Sequence, residues 1–157
     1  MSSGGGGLVS TMHDYARFCQ CIADGGELGG ARLLSVKTVE WMAANHLQGG
    51  VDIDELRKSL PESYTEAQGP GTGFGLGFSV RGDAVSAGLI GSVGSAGWGG
   101  AANTYFWIDP QERLFVIWMT QVLFYNELKT PVRSKLQSLV YGTIVDRLPF
   151  QPLASKL

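Results

Sequence analysis

The stretch "GWGGAANTYFWIDPQERLFVIWMTQ", residues 97–121, decides how the rest of the chain is read. Two apolar, aromatic-rich runs, residues 101–108 and 114–122, flank the connector Asp109-Pro110-Gln111-Glu112-Arg113. Aromatic and β-branched residues suit a pleated, half-buried surface, and the connector has turn chemistry, so the pattern predicts an antiparallel hairpin. Just ahead stand Gly97, Trp98, Gly99 and Gly100, a large aromatic residue among glycines. Glycine weakens a strand unless something must approach the backbone closely. The segment is therefore either a tight corner with Trp98 as a packing residue, or the lip of a site.

Working outward, "GFGLGFSV" at residues 73–80 alternates Phe74, Leu76, Phe78 and Val80 with Gly75, Gly77 and Ser79. Period-two alternation predicts one strand with a buried face and a bare face. Beyond the hairpin, Thr130 and Pro131 offer an N-cap and a first helical position. Leu136, Leu139, Val140 and Ile144 supply an apolar stripe, and Pro149 ends that helix. Nearer the start, a helix is expected from Ser10 or Thr11, with Thr11 and Asp14 spaced as a capping box. Tyr15, Phe18, Cys19 and Ile22 follow at helical spacing until Gly25-Gly26 stops the run. The segment "GELGGARLL" reads as a turn or short hairpin. Ser35 then caps a second helix through "VKTVEWMAAN", with Val36, Val39 and Met42 on one face and Asn45 and His46 at its end. Residues 51–68 are polar and read as a surface excursion holding a helical turn or two. Helices, then an antiparallel sheet, then one covering helix make an α+β chain, expected as a single domain over residues 1–157.

Bulk properties narrow the function classes. With 157 residues, 44% hydrophobic and 17% charged, the chain has enough apolar side chains for a folded core. Its net charge is −2 and its 12 basic residues are scattered, which argues against nucleic acid as a partner. No apolar run approaches the roughly 18 residues of a membrane span. Cys19 and Cys21 sit in a helical pattern where a mutual bridge is geometrically poor, so both are expected as buried free thiols in a reducing compartment. No metal or cofactor is expected: His13 and His46 read as surface or capping residues, and Asp52, Asp54 and Glu55 as a solvated acidic face. Phosphate-loop, dinucleotide-binding and G-x-S-x-G patterns are all absent, and Ser92 and Ser95 read as loop residues. Trp41, Trp107 and Trp118 read as core or face residues.

Four ordered blocks carry a resemblance. "SGGGGLVSTMHDYARFCQCIADGG", "RLLSVKTVEWMAANHL", "GFGLGF" and "GWGGAANTYFWIDPQERLFVIWMTQ" together resemble the C-terminal part of serine β-lactamase-like hydrolases. That superfamily holds class C β-lactamases, penicillin-binding proteins and related esterases. The likeness is strongest to the esterase branch, whose third motif reads W-G-G rather than K-T-G or H-T-G. It implies an α+β fold of which this chain is the C-terminal portion. It also implies that Trp98, Gly99 and Gly100 lie on the strand lining the substrate, with the backbone N–H of Ala101 as one oxyanion donor. A fixed backbone donor aimed at a developing oxyanion lowers an acyl-transfer barrier by a few kcal/mol.

The family's other motifs are not found. No serine here is followed three residues later by lysine, and none of Tyr15, Tyr64, Tyr105, Tyr125 and Tyr141 begins a Y-x-N or Y-x-S motif. The expectation is thus one wall of a site, in a chain inactive alone, whose nucleophile and base lie elsewhere. Its substrate in the complete protein would be a small ester, or less readily a β-lactam amide, because tryptophan replaces a cation that attracts a carboxylate. The alternative is a non-catalytic binding module built on the same fold. A sheet edge lacking strands from elsewhere would invite a partner chain. The location is expected to be cytoplasmic, or peroxisomal in a eukaryote, since the chain ends Ser155-Lys156-Leu157.

Overall fold

The computed structural model describes residues 8–59, 70–123 and 131–145. Helix α1 (Met12–Ala23) starts at Thr11, whose hydroxyl oxygen accepts the Asp14 N–H at 3.1 Å and donates to the Asp14 carboxylate at 2.9 Å. It ends where Gly25 and Gly26 take positive φ and the Gly26 N–H returns to the Cys21 carbonyl at 2.7 Å. The short hairpin β1 (Glu27–Leu28) and β2 (Ala31–Arg32) follows, closed by an Arg32–Glu27 ion pair. Ser35 caps α2 (Val36–Met42) through the Thr38 N–H, as its position suggests. At the far end His46 Nε2 meets the Trp41 carbonyl at 2.7 Å, a capping contact.

Helix α3 (Ile53–Ser59) occupies the start of the polar excursion, while residues 60–69 lie outside the described residues. Asp52 is more than a solvated acid. Its carboxylate accepts the N–H groups of Glu55 and of distant Gly71, each at 2.8 Å. These bonds favour the ionised form and hold its pKa below the usual carboxylate value. Asp54 pairs with Lys58 one turn on, at 2.8 Å.

The main sheet has five antiparallel strands in sequence order: β3 (Thr72–Phe74), β4 (Ser79–Arg81), β5 (Ala96–Gly99), β6 (Tyr105–Asp109) and β7 (Leu114–Trp118). The predicted hairpin is β6–β7, with Tyr105 opposite Trp118 and Asp109 opposite Leu114. Its strands are shorter than expected. Residues 101–104 form a turn instead of opening β6, because Gly100 and Asn103 bond within it and Asn103 takes φ +61°. β7 ends at Trp118, four residues early.

The single strand expected at 73–80 is also corrected. The chain reverses there, with Gly77 at φ +101°, the Gly75 N–H on Phe78 O, and the Leu76 N–H on the Met42 carbonyl. A side chain at Gly75 would strike that carbonyl, so the glycines mark a tight reversal against the end of α2 rather than the bare face of a strand. A short helix, α4 (Ala84–Ala87), joins β4 to β5 and was not anticipated. Ser92 and Ser95 in the same connection are buried, with the Ser92 N–H bonded to the Asp109 carboxylate at 3.2 Å.

Helix α5 (Val132–Tyr141) covers the sheet after the hairpin. Thr130 and Pro149 lie outside the described residues. The helix stops at Tyr141, where Gly142 and Thr143 bond back to Ser138 and Val140. Its buried residues are Gln137 and Tyr141, not the expected apolar stripe, and Leu139 is 71% exposed. The apolar core of the described residues lies on the other side, where α1 lays Cys19 and Ile22 on Phe78, Val80, Ala96, Phe106 and Ile108. Cys19 and Cys21 are buried free thiols, and burial pushes the Cys19 thiol up to about 12. Among the described residues no helix is long and apolar enough to cross a membrane. Ser155, Lys156 and Leu157 lie outside them.

Candidate functional site

Strand β5 is paired unequally on its two sides. β6 runs along all four of its residues, from Ala96 opposite Ile108 to Gly99 opposite Tyr105. β4 meets only Ala96 and Gly97, because the chain before Ser79 turns away. Trp98 and Gly99 therefore present a strand edge without a sheet partner among the described residues. Such an edge offers backbone donors and acceptors to an extended ligand. Gly97 lies so close to β6 that a Cβ would strike the Phe106 carbonyl, which answers why glycine begins the run.

The Trp98 side chain shares a sheet face with Ala96, the face that carries α1. Its indole is half-buried and meets the Phe74 ring edge-on, with centroids 4.9 Å apart. It brings bulk and no charge to the open edge. Ser79, the serine that pairs with β5, is buried and donates its hydroxyl to the Gly97 carbonyl at 2.7 Å.

Past Gly99 the chain enters a firmly tied turn. The Gly100 N–H bonds to Thr104 O at 2.8 Å and the Asn103 N–H to Gly100 O at 2.9 Å. The Ala102 carbonyl accepts both the Thr120 hydroxyl at 2.8 Å and the Val122 N–H at 3.0 Å. On the opposite side Arg133 Nε donates to Asn103 Oδ1 at 2.9 Å. Ala101 stands exposed in the middle, and its N–H has no acceptor among the described residues. An immobilised turn with an exposed, uncommitted N–H at Ala101 is what electrostatic stabilisation of a developing oxyanion calls for.

The four residues singled out from sequence, Trp98, Gly99, Gly100 and Ala101, thus form one continuous lip at the end of β5. Asn103, Thr120 and Arg133, which hold that lip, were missed. Their only trace in the sequence is that Arg133 stands four residues before Gln137 and eight before Tyr141, a helical spacing of polar rather than apolar residues. Among the described residues no group of three or more His, Cys, Asp or Glu is placed to hold a metal ion. A cavity of about 250 Å³, lined by Ile90, Ser92 and Tyr141 among others, lies at the other end of β6 and includes none of the lip residues.

Comparison with known proteins follows this geometry. The family model described as Beta-lactamase matches residues 1–135. Protein Rv1367c of Mycobacterium tuberculosis (strain ATCC 25618 / H37Rv) is 33% identical over 121 residues, covering 74% of this chain and 28% of that protein. Among solved structures, EstCE1, a hydrolase with promiscuous acyltransferase activity, superposes with a TM-score of 0.66 at 27% identity, covering 89% of this chain and 32% of that one. Unliganded simvastatin synthase from Aspergillus terreus superposes with a TM-score of 0.61 at 20% identity, covering 82% and 33%. The chain spans about a third or less of the length of each of these proteins.

Proposed function

Because the chain belongs to the beta-lactamase family, we propose that it supplies the substrate-facing strand edge and one oxyanion donor of a serine hydrolase acting on neutral esters. The observation that carries this reading is the lip itself: an open edge at Trp98 and Gly99 running directly into the uncommitted N–H of Ala101. In the proposed reaction a serine hydroxyl from outside this chain attacks the ester carbonyl. Its proton passes to the departing alcohol, leaving an acyl-enzyme. Water then attacks that acyl-enzyme, and the carboxylic acid leaves as the serine regains its proton. In both steps charge gathers on the carbonyl oxygen, where the Ala101 N–H would meet it.

The preference for neutral esters follows from Trp98, which places an indole where a cation would favour a carboxylate-bearing substrate. The protein containing this chain together with its serine is expected to turn over a short-chain nitrophenyl ester faster than nitrocefin. Faster nitrocefin turnover refutes the ester preference. A fluorophosphonate probe is expected to leave this chain alone unlabelled. A labelled serine within it would overturn the assignment of the nucleophile elsewhere. The outer edge of β7 has no strand beside it among the described residues, and we place there the segment or partner chain that completes the sheet.

A further inference from the structure

Arg133 reaches the lip from the opposite layer of the fold. Its Nε donates to Asn103 Oδ1 at 2.9 Å, and its NH2 group lies 3.4 Å from both the Gly100 and Thr104 carbonyl oxygens. The guanidinium carbon sits 5.1 Å from the centre of the Tyr105 ring. One planar cation thus touches both ends of the turn, its left-handed residue and the first residue of β6. Asn103 is 3% exposed at φ +61°, a conformation that asparagine adopts more readily than most residues.

We infer that Arg133 is a positioning residue: through Asn103 it ties the 100–104 turn to α5 and so aims the Ala101 N–H. This rests on the reading of Ala101 as the oxyanion donor. Ala102 O is held from the hairpin side by Thr120 and Val122, and Arg133 supplies the hold from the helix side. A turn gripped from both sides keeps the Ala101 donor fixed while charge develops, with no reorganisation at the moment of reaction. Lysine cannot replace the grip, because its ammonium is a point charge without the planar fork. Displacement of a catalytic group by about 1 Å is enough to lower a rate about 100-fold.

The test uses the complete protein that carries this chain, with amide hydrogen exchange and ester kinetics measured together. In Arg133→Gln the Asn103 amide is expected to exchange at least about tenfold faster while the β6–β7 amides are unchanged. The same variant is expected to lose about 10- to 100-fold in kcat with KM nearly constant, the mark of an interaction felt in the transition state. Asn103→Gly keeps the left-handed turn but removes the acceptor, and should reproduce both effects. Combining it with Arg133→Gln should add little, and Arg133→Lys should restore only part of the rate. Unchanged Asn103 exchange in Arg133→Gln overturns the clamp, and faster exchange with kcat intact overturns its role in aiming Ala101. A wild-type protein that turns over no ester refutes the hydrolase reading and takes this inference with it. That failure is visible before any variant is made.

Discussion

The two faces of the five-stranded sheet are built from different chemistry. Toward α1 the sheet shows Phe78, Val80, Ala96, Phe106 and Ile108, and the helix answers with Cys19 and Ile22. Toward α5 it shows Tyr105, Trp107 and Asp109, and the helix answers with Arg133, Gln137 and Tyr141. The first face gains from removing apolar area from water, which is non-directional and tolerates exchange of similar shapes. The second depends on directed bonds. Asp109 is wholly buried and accepts the Tyr141 hydroxyl at 2.6 Å as well as the N–H groups of Ser92, Gln111 and Glu112. Apolar packing keeps the sheet folded, whereas polar packing sets where its ends stand. The lip of the candidate site is held by the polar face.

The comparison can be broken most forcefully at Ile108, which is completely buried on the α1 face. Ile108→Ala is expected to lose about 2–5 kcal/mol of unfolding free energy in denaturant titration, by transfer and cavity effects together. A loss under about 1 kcal/mol would deny that this face is the main source of stability. Tyr141→Phe probes the other face. It removes one partner from a buried carboxylate and is expected to lose about 1.5–3 kcal/mol by the same measurement. It should also speed amide exchange at Ser92, whose N–H shares that carboxylate. A neutral Tyr141→Phe would mean that the polar face is ornamental.

The smallest effect is a pH dependence. Burial raises the Cys19 pKa from 9.0 to about 12, so the native state keeps this proton where the unfolded chain loses it. The associated stability is present below about pH 9 and is lost as pH rises toward 12. Tyr15 and Tyr141 are raised from 10.0 as well, chiefly by burial, and act in the same direction. Cys19→Ala is expected to flatten the alkaline fall in stability without abolishing it. An unchanged slope would place the effect wholly on the tyrosines.

Legibility from sequence followed the same division. α1, α2 and the β6–β7 hairpin were readable because caps, glycine stops and apolar spacing are local signals. The reversal at 75–78 was misread because glycines between apolar residues imitate alternation, and only the Met42 carbonyl beside Gly75 and the positive φ of Gly77 show why these two are glycines. On α5 the search for an apolar stripe favoured Leu139, which faces water, over Arg133, Gln137 and Tyr141. Their helical spacing is the one local mark those residues leave, since their partners Asn103, Tyr105 and Asp109 lie on other elements. The lip was legible from Trp98 to Ala101, but its supports were long-range.

The early departure of β4 from β5 has a consequence for size. Only Trp98 and Gly99 lack a neighbour on that side among the described residues, and two residues of strand measure roughly 7 Å. Backbone groups alternate between neighbours along an antiparallel strand, and Trp98 turns its own toward Phe106. A substrate of the proposed reaction would therefore meet the N–H and C=O of Gly99 within that length. Beyond that it runs into β4 at one end and the tied turn at the other. On the proposed function the edge would work as a gauge, admitting one acyl unit to sheet-like contact and giving nothing further to a longer chain.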